Sequence, residues 1–303
     1  MSHGKSTKTS TKKTAPTLSS VLRCPSGPID VSSFDSAATP LFPGRGKQDA
    51  PAVNAAVDTR LDALQERLYA NAHVEMPAQV ATRAATPASL LLVLQGMDTA
   101  GKDGVISHVI GMINPEGVVI RSFKAPTAEE RQHDFLWRIR SALPEPGMIG
   151  IFNRSQYEDV LIQRVEAMAP ADEIEARYGQ INEFEQQVAA SGTRIVKCFL
   201  NVSKDVQKKR LAARLDDPTK YWKYSAGDLS VRAKWDDYMV AYGLALTRCN
   251  QDCAPWYVIP ADRKWYRNWA IAQILLETLQ SMNLTWPPAT FDIEAEKARV
   301  KAS

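Results

Sequence analysis

The sequence predicts an α/β protein, a three-layer α/β/α sandwich on a five-stranded parallel sheet. Five short apolar runs, at residues 89–95, 117–123, 148–153, 193–202 and 255–260, have the length and near-continuous apolar character of buried parallel strands. Segments with helical spacing lie among and after them, at 103–113, 128–142, 172–190, 204–215, 230–247 and 265–282. Strands alternating with helices of crossover length argue for a parallel sheet covered on both faces. The first run also feeds directly into a glycine-rich loop and then a helix.

Ahead of the sheet, residues 1–53 are rich in Ser, Thr, Lys, Pro and Gly without a sustained period, which predicts a flexible polar tail. From residue 54 the pattern changes, and Val57, Leu61, Leu64 and Leu68 recur at three- and four-residue spacing, as on one face of a helix. A single main domain is expected over 54–290, with a charged tail over 291–303.

Thirty-seven basic side chains are nearly matched by 34 acidic ones, for a net charge of +3. That balance excludes a nucleic-acid binder built on bulk charge, so any basic site is local. Cys24, Cys198, Cys249 and Cys253 are scattered without zinc-site spacing, which suits reduced thiols. No run of about 18 apolar residues occurs, so no membrane span is expected and the cytoplasm is the expected compartment.

The most informative segment is Gly96-Met97-Asp98-Thr99-Ala100-Gly101-Lys102-Asp103-Gly104. Its glycines let backbone amides turn inward, and the helix that follows adds its positive end, so the loop suits an oligophosphate. In such a loop Lys102 would neutralise the transferring group. The residue after the lysine is Asp103, where the usual motif has Ser or Thr for magnesium. Asp98 supplies a hard carboxylate oxygen instead and is the expected metal organiser.

A second polar cluster, Asn153-Arg154-Ser155-Gln156-Tyr157-Glu158-Asp159, ends the third apolar run and belongs at the same sheet edge. There Arg154 would brace phosphate oxygens, Asn153 and Glu158 would line the nucleotide or phosphate, and Glu158 or Asp159 would hold metal directly or through water, with Asp159 the expected partner of Asp98.

These residues resemble the polyphosphate kinase 2 family, whose loop reads G-x-D-x-x-G-K-x-G and whose second motif reads F-[DN]-R-S-x-Y. Here they stand at Gly96 to Gly104 and Phe152 to Tyr157. FKAP from Phe123, HDFLWR from His133, DDPTKYWK from Asp216, KWDDY from Lys234 and PADRKWYRN from Pro260 also match, in order, across residues 55–290. The resemblance implies a P-loop kinase-like sandwich with a helical lid at about 204–228. It implies reversible transfer of a terminal phosphate between polyphosphate and nucleoside mono-, di- and triphosphates, with Mg2+ or Mn2+. By motif position it implies catalytic roles for Asp98, Lys102, Arg154 and Arg214, and a homo-oligomer, dimer or tetramer. Asn153 stands where many members carry aspartate, and Tyr157-Glu158-Asp159-Val160-Leu161 is similar to the subgroup that accepts both mono- and diphosphates.

A polyphosphate chain needs a groove of separated cations. Lys124 and Arg138 are expected to line it, with Arg131 a weaker candidate, and the lid segment 204–215 would add Lys204, Lys208 and Arg210. Two rivals fit the same residues, an ATP-dependent kinase of nucleotides or small metabolites and a catalytically idle polyanion binder.

Overall fold

The computed structural model describes residues 15–74 and 88–303. The strands β1 (Ser89–Gln95), β2 (Val118–Ser122), β3 (Ile149–Asn153), β4 (Thr193–Asn201) and β5 (Trp256–Pro260) form one parallel sheet in the order β2-β3-β1-β4-β5. Every residue of β1 is buried, which is why SLLLVLQ reads as an unbroken apolar run. β1 sits between β3 and β4, so the loop that leaves it is flanked at the carboxyl edge by the loops leaving both neighbours. Register aligns that edge: Leu94 of β1 and Ser122 of β2 both lie opposite Asn153.

Eleven α-helices surround the sheet among the described residues: α1 (Leu18–Leu22), α2 (Ala50–His73), α3 (Lys102–Ile110), α4 (Trp137–Arg140), α5 (Ile162–Val165), α6 (Ala171–Ala190), α7 (Lys204–Leu215), α8 (Gly227–Ala233), α9 (Trp235–Arg248), α10 (Lys264–Ser281) and α11 (Ile293–Ala302). Helix α10 packs on α2, α3, β4 and β5 to form one layer. Its long apolar face, Trp269 to Leu276 with Leu279, drives this through burial of hydrophobic area. Helices α5, α6 and α9 form the layer on the other face.

Four expectations are corrected. Residues 15–49, expected within a flexible tail, pack on the domain, while residues 1–14 lie outside the described residues. Leu18, Leu22, Cys24 and Val31 are buried, the Glu277 carboxylate accepts from the amides of Leu18 and Ser19, and Cys24 N donates to Trp256 O at 2.8 Å. Phe42 meets the rings of Trp265 and Trp269 edge-on at 4.7 and 5.0 Å. Such single anchors carry no period, so composition alone read them as solvent-exposed.

The helix expected over 128–142 is mostly turns, with one 3-10 turn at Glu130–Gln132 and the four-residue α4. Side-chain caps stop it: Thr127 accepts from Glu130 N, and Asp134 accepts from Leu136 N. The helix expected over 230–247 divides at Lys234 into α8 and α9. β2 is an edge strand with Val119 and Ile120 exposed, not a buried one. The charged stretch at the C-terminus forms α11, which has no buried residue.

Candidate active site

The loop between β1 and α3 has the backbone that a phosphate cradle demands. Gly96 and Gly101 sit at φ +148° and +111°. A Cβ on Gly96 would meet Leu200 O at 2.9 Å, and one on Gly101 would fall 1.7 Å from the Arg267 guanidinium. Thr99 is held at φ +64°, a conformation that strains a β-branched residue, and its buried hydroxyl has no hydrogen-bond partner. Strain and an orphaned donor inside the loop mark it as shaped for a ligand.

Beneath the loop lie two arginines. Arg210 donates to the carbonyls of Thr99, Ala100, Ala261 and Asp262 at 2.7–3.2 Å, and Arg267 donates to Ala100 O at 2.8 Å. Arg210, expected on the polyphosphate track, therefore has its donors turned onto backbone carbonyls and braces the loop from below. Arg267 lies in the PADRKWYRN stretch but was assigned no role from sequence, because an arginine that serves backbone carbonyls has no motif of its own.

The phosphate loop and the turn after β3 enclose a cleft of about 450 Å³. Lys102, Lys124, Arg154 and Arg214 line it, against the two carboxylates Asp98 and Asp103, with Thr99, Gly101, Phe123 and Asn153 between. Four cations against two acids make a cleft tuned to a polyanion. Lys102 Nζ turns back onto Gly96 O at 2.7 Å, and burial, with the Arg154 guanidinium, holds its ammonium pKa below the ordinary lysine value. Arg154 is at φ +65° and reaches Asp98 at 2.8 Å and Glu158 at 3.1 Å. The Asn153 amide donates to Asp103 at 2.8 Å.

A smaller cavity of about 160 Å³ adjoins it, lined by Gly96, Met97, Asp98, Arg154 and Glu158 on the sheet side and by Asp228, Tyr238 and Tyr242 on the helical side. Arg214, at the end of α7, is positioned by the Asp228 carboxylate at 3.0 Å and by Lys223 O at 2.8 Å. Gln207 joins this side to the loop: its amide donates to Asp98 O at 3.2 Å, and its oxygen accepts from Arg232 at 2.8 Å. Neither Gln207 nor Arg232 stood out in the sequence, since a neutral amide within a basic helix gives no pattern.

Other expected residues lie off the cleft. Asp159 is buried between Arg177 and Arg138, at 3.6 and 3.9 Å, and lines a separate cavity of about 380 Å³. It lines neither cavity that Asp98 lines, so the structure does not bring the two carboxylates together. Arg138 donates to Lys124 O at 2.8 Å and pairs with Glu130 at 3.6 Å, so it steadies the loop that presents Lys124 instead of facing the cleft. Arg131, broken from Arg138 by the missing helix, is exposed beside that same cavity. Lys204 and Lys208 are exposed on α7, and Ala100 and Gly104 complete the loop without lining the cleft. A larger groove, about 740 Å³, runs between α1, α2 and α10; among the described residues its charged liners are Arg60 and Glu277 alone, too few to hold a phosphate chain.

A five-stranded parallel sheet in this order, with a lysine-bearing glycine loop after its central strand, defines a P-loop phosphotransferase of the kinase type. The family model for polyphosphate kinase 2 matches residues 59–287, and the chain belongs to that family. It is 44% identical over 263 residues to an AMP/ADP-polyphosphate phosphotransferase of Meiothermus ruber, covering 87% of this chain and 93% of that one. It is 46% identical over 244 residues to an ADP-polyphosphate phosphotransferase of Rhodopseudomonas palustris, covering 76% and 79%. The crystal structure of polyphosphate kinase 2 from Arthrobacter aurescens TC1 superposes with a TM-score of 0.88 at 50% identity, over 97% of this chain and all of that one.

Proposed function

We propose that the protein transfers the terminal phosphoryl group of inorganic polyphosphate, reversibly, to nucleoside mono- and diphosphates including AMP and ADP. The observation that carries this is the convergence of Lys102, Lys124, Arg154 and Arg214 on one cleft beside the strained phosphate loop. The polyphosphate end lies in that cleft, and the acceptor nucleotide enters from the adjoining cavity past Glu158, Tyr238 and Tyr242. The names of the relatives, which include both AMP and ADP acceptors, support that range.

A terminal phosphate oxygen of the nucleotide forms a bond to the end phosphorus of the chain, and the bridging P–O bond to the penultimate phosphate breaks. The shortened polyphosphate leaves with that electron pair. The nucleophile is already anionic, so no general base is required; positioning and charge stabilisation carry the rate. Lys102 and Arg154 meet the charge on the transferred group, and Arg214 follows it from the lid formed by α7 and α8. Closing that lid excludes water that would otherwise take the phosphoryl group.

Among the described residues no three His, Cys, Asp or Glu side chains form a self-sufficient metal site. Magnesium takes one or two carboxylates and completes its shell with water and substrate phosphates, and Asp98 and Asp103 on one cleft fit that habit. Bound there, magnesium or manganese would neutralise phosphate charge. Asn153, through its hydrogen bond, orients Asp103 for this role.

We place the activity in the cytoplasm, in a homo-oligomer; among the described residues no helix is long and apolar enough to cross a membrane. Incubation of AMP, ADP, GMP or GDP with polyphosphate and Mg2+, without ATP, tests the assignment. Phosphorylation of AMP and ADP is expected; turnover only when ATP is added would establish an ATP-dependent kinase instead.

A further inference from the structure

Directly behind the Arg154 turn lies a cluster of charged and polar side chains that the transfer chemistry does not use. Lys197, on β4 beside the central strand, and Glu185, on α6, are fully buried and paired at 2.5 Å. All three ammonium protons of Lys197 have acceptors: Glu185 Oε2, the Tyr157 hydroxyl at 2.8 Å, and Cys249 O at 2.6 Å. The other Glu185 oxygen accepts from Tyr157 Oη at 2.8 Å and from the Gln156 amide at 3.0 Å. The Lys197 ammonium also lies over the rings of Tyr157 and Trp256, at 5.3 and 5.1 Å.

Burying such a pair costs several kcal/mol per ion, and an apolar pair of similar volume often serves stability equally well. What the ionic version adds is direction. Gln156 and Tyr157 belong to the turn after β3, and Arg154, held at φ +65°, lies two residues before Gln156. Cys249 caps the end of α9, the helix that carries Tyr238 and Tyr242. One ammonium thus ties the turn bearing Arg154 and Glu158 to the helix that forms the opposite wall of the smaller cavity.

We propose that Lys197 and Glu185 are positioning residues for phosphoryl transfer, acting through Tyr157 to hold Arg154 on the cleft. The inference rests on the role given to Arg154 under the proposed function. A misplacement of about 1 Å in a group of this kind costs up to about 100-fold in rate.

The test uses the full chain with three variants, Tyr157→Phe, the double variant Lys197→Met with Glu185→Leu, and Arg154→Ala, measured for kcat, KM for ADP and thermal midpoint. Removal of the hydroxyl, or replacement of both ions together, leaves no unpaired charge in the core. The expected result is a roughly 10-fold or greater loss of kcat in the folded Tyr157→Phe and double variants, with KM for ADP within about twofold; the midpoint falls as well, because buried hydrogen-bond partners are removed in both. A double variant or a Tyr157→Phe enzyme with wild-type kcat, alongside an impaired Arg154→Ala, overturns the positioning role. An Arg154→Ala enzyme with wild-type kcat overturns instead the reading of Arg154 on which it rests. Should the double variant fail to fold, Tyr157→Phe alone decides.

Discussion

Arg154, at the end of β3, donates to the Asp98 carboxylate across the cleft mouth at 2.8 Å, joining the second motif to the phosphate loop 56 residues earlier in the chain. The same guanidinium binds Glu158, so without substrate its positive charge is shared between two acids. An incoming phosphate competes with both carboxylates for it.

Asp98→Asn keeps the size of the side chain and removes one of those charges. We expect it to lower kcat by 100-fold or more, on the order of the loss from removing one preorganised charge, because Asp98 is also one of the two carboxylates proposed to hold magnesium. Titration of the variant with Mg2+ should give a higher half-saturating concentration, read in the ADP and polyphosphate assay.

Gly101→Ala tests the brace beneath the loop. The new methyl group would fall 1.7 Å from the Arg267 guanidinium, at a backbone φ of +111° that Ala resists. Strain and overpacking of this kind cost about 1–3 kcal/mol each, so the expected outcome is a lower midpoint in urea together with lost activity. Gly179→Ala is the control, since a Cβ there meets nothing within 4 Å.

Asp159 gives a pH signature. Burial outweighs Arg177 and Arg138 and pushes its carboxyl up to about 6, from an ordinary value of 3.8. Between those values the folded protein keeps a proton that the unfolded chain has released, so this residue's contribution to stability falls as pH rises from about 4 to 6. Above pH 6 the loss is complete. Asp159→Asn should flatten that part of the stability curve, as measured by urea unfolding at steps of pH.

The sheet was legible in the sequence because parallel strands buried on both faces need continuous apolar runs. The start of β1 and its end match the expected run at 89–95, and α7 matches 204–215. The cleft was legible wherever a residue type is required by backbone or charge, as at Gly101, Lys102 and Arg154. The arm over 15–49 was not, because its anchors, Leu18, Cys24 and Phe42, are isolated and irregularly spaced. Arg138 illustrates a further limit: the helix expected over 128–142 would have carried it together with Arg131, and only the caps at Thr127 and Asp134 show why that helix does not form. Sequence identifies a basic side chain without saying whether its partner is a substrate phosphate or a backbone carbonyl, and Arg210 and Arg138 both serve carbonyls.

The most direct measurement is ATP formation from ADP and polyphosphate with Mg2+ by the wild-type chain and by Lys102→Met, with folding checked by circular dichroism. The wild type is expected to form ATP, and the folded variant to show at least a roughly 100-fold lower kcat. A Lys102→Met enzyme that is folded and as active as the wild type would remove the phosphate loop from the chemistry.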